Sequence, residues 1–72
     1  MSDRESLSLR EVLGTFVAVE RISTEDLKVT FEEVSSSVRQ DFLINHTLAG
    51  FLHLGEKYAI RCRGAIIVGI GL

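Results

Sequence analysis

SLREVLGTFVAVERI, residues 8–22, admits two opposed readings, and the choice between them sets the architecture of the rest of the chain. Leu9, Val12, Leu13, Phe16 and Val19 recur at i, i+3, i+4 intervals, the stripe of an amphipathic helix. Ser8 and Glu11 stand where a capping box places its N-cap serine and its N3 glutamate. Against this, Thr15, Val17, Val19 and Ile22 are β-branched, and Gly14 inside a helix costs about 1 kcal/mol relative to alanine. The spacing predicts a helix over 8–22, with a strand over 14–22 as the open alternative.

Downstream the period changes to two. Leu27, Val29 and Phe31 alternate with Lys28, Thr30 and Glu32, the pattern of a half-buried strand over 27–34. A helical stripe through Leu27, Phe31, Val34 and Val38 competes with it. Ser35-Ser36-Ser37 weakens that helix, because serine favours turns and caps. A short strand is expected over 37–42. Another is expected over 44–54, with Ile44, Leu48, Leu52 and Leu54 on one side and Gly50 marking a bend or bulge. Gly55-Glu56 reads as a turn. Residues 57–63 place Tyr58, Ile60 and Cys62 on one face, with Lys57, Arg61 and Arg63 on the other. Arg63-Gly64 suits a tight hairpin, glycine supplying positive φ. In a strand over 65–71, Ile66, Val68 and Ile70 share one face with Leu72, opposite Ala65, Ile67, Gly69 and Gly71. The expected fold is mainly β: an N-terminal helix, then five short antiparallel strands closed into a small, strongly bent SH3-like barrel that limits exposed edges.

Length and composition bound the function. Seventy-two residues make one domain over 1–72, small enough to be marginally stable alone. The single cysteine excludes an internal disulfide, and no metal-ligand spacing is evident, which leaves a partner as the remaining source of stability. A hydrophobic share of 46% is high for so small a chain. The net charge of −2 lacks the basic excess of a nucleic-acid module. MSDRESLSLRE has no apolar signal-peptide core, and AIIVGIGL is too short to span a bilayer as a helix. The expectation is an intracellular protein in a reducing compartment.

Candidate chemistry is sparse. Cys62 with His46 or His53 as base would make a nucleophilic pair, but a cysteine alternating with Tyr58 and Ile60 reads as buried core. Asp41, His46, His53 and Cys62 match no common zinc spacing. Glu20, Glu25, Asp26, Glu32 and Glu33 fall on turns and a polar strand face, where carboxylates are solvated. No catalytic residue, metal or cofactor is expected, and the chain reads as non-enzymatic.

Two segments carry a resemblance. Asp41-Phe42-Leu43-Ile44-Asn45-His46-Thr47-Leu48 is similar to the first motif of the Sm/LSm-like family, Asp-x-x-Met-Asn-x-x-Leu. Ile60-Arg61-Cys62-Arg63-Gly64-Ala65-Ile66-Ile67-Val68 resembles the second, an apolar strand, Arg-Gly, and an apolar strand. The order helix then five strands is that of the Sm fold. The chain departs from the family at Ser35 and Ser37, which replace a glycine and an apolar residue, and at Leu43, where RNA-binding members carry an aromatic or histidine. As a short acidic member it is most similar to the Sm-like Gemin subunits of the SMN complex. That resemblance implies a heterodimer with a second Sm-like Gemin and contacts to further SMN-complex subunits. It also implies a structural part in loading Sm proteins onto small nuclear RNA, in cytoplasm and nucleus. In RNA-binding members the residues matching Asn45 and Arg63 contact a uracil, which makes these two the candidate RNA-binding pair.

The family also pairs the last strand of one subunit with the preceding strand of its neighbour. An apolar strand with unpaired N–H and C=O groups is a template for such addition. The expected junction comprises Ile66, Val68 and Ile70 with Ile67, supported from the barrel side by Ile60 and Cys62. A head-to-tail homo-oligomer and an RNA-binding ring subunit are the alternatives within this class. A small OB- or SH3-like adaptor unrelated to Sm proteins is the alternative outside it, and barrel strands in the first twenty residues are its mark.

Overall fold

The computed structural model describes residues 9–71, which form five strands and a short helix: β1 (Leu9–Arg21), β2 (Asp26–Glu33), β3 (Arg39–Asn45), α1 (His46–Ala49), β4 (Lys57–Arg63) and β5 (Ile66–Gly71). β1 corrects the helix expected over 8–22; Ser8, its proposed cap, lies outside the described residues. Val12, Gly14 and Phe16 alternate into the core while Leu9, Glu11 and Leu13 face out. Here the β-branched residues and Gly14 outweigh the helical spacing. A Cβ on Gly14 would stand 3.2 Å from both the Glu32 carbonyl oxygen and the Phe31 Cβ, so this crossing suits glycine.

β1 is long because it serves two neighbours. Residues 9–15 pair with β4 and residues 14–21 with β2, both antiparallel, and Gly14 and Thr15 have a partner on each side. The register with β2 shifts between Phe16 and Ala18, so Val17 is an extra residue that bends and twists the strand.

β2 and β3 form a hairpin across the serine triplet. Ser37 takes φ 62, its N–H donates to the Glu33 carbonyl at 2.7 Å, and the Ser36 hydroxyl donates to the Glu33 carboxylate at 2.8 Å. The two strands expected over 37–42 and 44–54 are corrected to one strand and a helix. Phe42 and Ile44 share the buried face of a single β3 that pairs with β2 as far as Asn45. Beyond it, Ile44, Leu48 and Leu52 are four residues apart, a helical spacing rather than an alternation. Gly50 is accordingly the C-cap of α1, and not a strand bulge.

β4 has the expected bounds and buries Tyr58, Ile60 and Cys62. Its hairpin to β5 turns through Gly64 at φ 59. The face expected for Ile66, Val68 and Ile70 is divided by a second irregularity. Cys62 pairs with Ile67 but Arg61 with Gly69, leaving Val68 as the extra residue. Ile67 is therefore buried, Ile66 and Val68 face out, and Ile70 turns back inward to pair with Ile60. Leu72, expected on the same face, lies outside the described residues.

The strand order is cyclic, β1-β2-β3-β5-β4, so the bent sheet closes as a barrel. Closure between β3 and β5 is parallel rather than antiparallel and short: one partner pair, Leu43 with Ile66, with the Leu43 N–H donating to the Ala65 carbonyl at 2.7 Å. An aromatic ladder crosses the first three strands, with ring centroids 5.5 Å apart for Phe16–Phe31 and 6.2 Å for Phe31–Phe42. Each such pair adds about 0.5–1.5 kcal/mol beyond burial. Val29, Ile44, Ile60 and Cys62 complete the sealed centre.

Gly14→Val, which raises β propensity but fills the crossing, is expected to cost about 1–3 kcal/mol in urea unfolding. Gly69→Ala, whose added Cβ stands 3.8 Å from its nearest neighbours, is expected to stay within about 0.5 kcal/mol of the parent. Equal midpoints for Gly14→Val and the parent would refute the tight crossing.

Candidate interaction site

The barrel surface divides into a polar and an apolar part. On the outer face of β1–β2–β3 the cross-strand neighbours are mutually paired. Lys28 lies 3.3 Å from Glu20, Arg39 lies 3.5 Å from Glu32, and the Thr30 hydroxyl donates to Asp41 at 2.7 Å. Exposed ion pairs of this kind contribute little stability, typically about 0–1 kcal/mol each. Their consequence is that two cations on this face already face carboxylates, and no aromatic stands among them.

The apolar part follows β5. Leu43 and Ile66 flank the short closure and Val68 lies two residues further along, all three at least 40% exposed. Scattered exposed hydrophobics are ordinary, but three gathered about one seam form a patch. Past Ile66, no strand lies beside the outer edge of β5 among the described residues, so its backbone there has β4 on one side only. Residues 64–71 carry no charge. An exposed edge with apolar side chains is suited to accepting an added strand, whose main-chain hydrogen bonds are worth about 0.5–1.5 kcal/mol each net.

Of the six residues expected at a protein junction, Ile66 and Val68 are on this patch. Ile60, Cys62 and Ile67 are in the sealed core, where they can shape the barrel but present no side chain to a partner. Ile70 is half-buried and lines a groove at the barrel end with Leu48, Phe51 and Tyr58. Leu43 was absent from that expected set. Its outward place on β3 is readable from the alternation with Phe42 and Ile44, but its seat on the seam depends on the β3–β5 pairing.

The two residues expected to contact RNA, Asn45 and Arg63, stand on the ends of β3 and β4, with β5 between those strands. Asn45 is the N-cap of α1, its Oδ1 accepting the Thr47 N–H at 2.9 Å. His46 opens α1, with its N–H donating to the Glu25 carbonyl at 2.8 Å. The His53 N–H donates to the Tyr58 hydroxyl at 2.8 Å. Cys62 is fully buried, and no group of three metal-type residues gathers among the described residues.

Asn45→Ala is expected to lower stability by about 0.5–2 kcal/mol through loss of the cap, with Asn45→Asp restoring most of it, measured by thermal unfolding. Equal losses for both variants would mean that the side chain acts otherwise.

Comparison of the chain with protein-family models, with curated proteins and with solved structures found no match.

Proposed function

We propose that the chain is a non-enzymatic adaptor, a small β-barrel that takes a protein partner along the β3–β5 seam by strand addition. The observation that carries this reading is the seam itself: one pair of residues closes it, and Leu43, Ile66 and Val68 stand exposed around it. The strand order, with β5 between β3 and β4 and a helix between β3 and β4, is the connectivity of OB barrels. Together with a strand in place of the first helix, it favours the small-barrel adaptor class. A protein partner is preferred over nucleic acid because Lys28 and Arg39 on the β1–β2–β3 face already meet carboxylates and the net charge is −2.

A second, narrower reading is carried by the motif segments Asp41–Leu48 and Ile60–Val68. It makes the chain an Sm-like subunit akin to the Gemin-seven subunit of the SMN complex. The partner is then a Gemin-six-like Sm protein in a heterodimer within the complex that assembles Sm proteins on small nuclear RNA, in cytoplasm and nucleus. Both readings place partner contact at β5. They differ in the partner.

Val68→Lys puts a charge on the patch at an exposed position, so the fold should survive. Pull-down with the tagged chain is expected to recover a specific partner with the parent and at least tenfold less with Val68→Lys. Recovery of a purified Gemin-six-like Sm protein would select the Sm reading. Undiminished recovery with Val68→Lys would overturn the seam. Oligo-uridine binding that falls steeply with salt and is lost in Asn45→Ala would instead support an RNA-binding ring subunit.

A further inference from the structure

The outer face of β4 carries two exposed arginines beside β5. Arg61 stands between Glu11 of β1 and Gly69 of β5, and Arg63 between Leu9 and Ile66. Lys28 and Arg39, on the opposite face of the barrel, each meet a carboxylate. Arg61 and Arg63 form no ion pair among the described residues, although Glu11 is the direct cross-strand neighbour of Arg61. The stem of Arg61 lies on the other side, against β5. A Cβ placed on Gly69 would stand 3.8 Å from both the Cβ and the Cδ of Arg61, so the arginine runs beside the place where a side chain would begin. Residues 64–71 carry no charge, so β5 itself supplies no carboxylate to this guanidinium.

We propose that the strand accepted at the β5 edge is an acidic one: an extended peptide whose apolar side chains meet Ile66 and Val68 and whose carboxylate takes Arg61 across Gly69. This rests on the strand-addition reading and adds to it the chemistry of the partner. Neighbouring strands lie about 4.8 Å apart, so an added strand stands about 10 Å from β4. An arginine and a glutamate reach one another over that gap when the strand between them presents a glycine. The charge-assisted contact is directional, because a guanidinium binds a carboxylate through two parallel hydrogen bonds. It acts at the protein surface, so it selects among strands and weakens with salt, while the backbone bonds and Ile66 and Val68 supply affinity. The whole chain, at −2, favours a basic peptide, so a preference for acid reports the local arginines. A nucleic acid also offers negative charge, but it brings no apolar side chains to Ile66 and Val68, and the outer faces of β4 and β5 carry no aromatic on which a base could stack.

Fluorescence anisotropy tests this with three labelled octapeptides, alternating valine with glutamate, glutamine or lysine, titrated with the full chain at low and moderate salt. The parent is expected to bind the glutamate peptide at least tenfold more tightly than the lysine peptide, by a margin that narrows with salt. Arg61→Gln, at an exposed position, is expected to keep the parent's circular dichroism and lose that margin, and Arg61→Glu to reverse it. Val68→Lys is expected to weaken the uncharged glutamine peptide at least tenfold. A parent that binds all three peptides equally overturns the acidic partner and leaves the seam standing, as does an acid preference that survives Arg61→Gln. A parent that binds none of them, or glutamine-peptide binding unchanged in Val68→Lys, overturns the seam and this inference with it. Oligo-uridine that displaces the glutamate peptide and needs Arg61 to do so would assign the arginines to nucleic acid and overturn the acidic strand equally.

Discussion

The approach of β1 to β2 at Gly14 is the constraint on which the barrel depends. At that residue one strand is paired on both sides, to Glu33 and to Tyr58, and the space where a side chain would start is taken by Phe31 and the Glu32 carbonyl. Because β1 pairs with a neighbour on each side at Gly14 and Thr15 and carries an extra residue at Val17, its first half closes the sheet against β4 while its second half continues to β2. Each later feature follows from that closure. Phe16 meets Phe31, Phe31 meets Phe42, and the core of a chain with no disulfide is sealed by side chains alone.

The two bulges explain why the sequence was legible in some places and not in others. β2 and β4 carry no inserted residue in their pairings, and their alternation of Val29 and Phe31, or of Ile60 and Cys62, can be read directly from period two. In β1 and β5 one inserted residue shifts the parity, and a local pattern then assigns some side chains to the wrong face. Ile66, Val68 and Ile70 are spaced as one face of an ideal strand; the bulge at Val68 divides them between solvent and core. For β1 the misleading signal was stronger, because a long bent strand with inward Val12 and Phe16 and outward Leu9, Leu13 and Val19 reproduces helical spacing by coincidence. Gly14 was the residue that argued against it. The site was legible only in part. The uncharged run of β5 marks an interaction strand in sequence, whereas the seam needs Leu43 and Ile66 to meet across a parallel pairing, and the groove needs residues 48 and 70 to meet across the chain.

The surface follows the same logic. Ten large hydrophobics and Cys62 are buried in the core and eleven large hydrophobics are exposed among the described residues, so the barrel leaves at least as many large apolar side chains exposed as it buries. Polar cross-strand pairs cover β1–β2–β3 and hold their charges locally. The uncovered apolar surface at the seam is where contact with another chain is energetically favourable, at about 25 cal/mol per Å² buried before the cost of association.

The most direct measurement of the central claim is cross-strand Hα–Hα and amide nuclear Overhauser contacts for β1 in solution. The account predicts contacts from residues 9–15 to β4, contacts from residues 14–21 to β2, and both sets at Gly14. Sequential i, i+3 contacts through residues 9–21, with none to Tyr58 or Glu33, would contradict it.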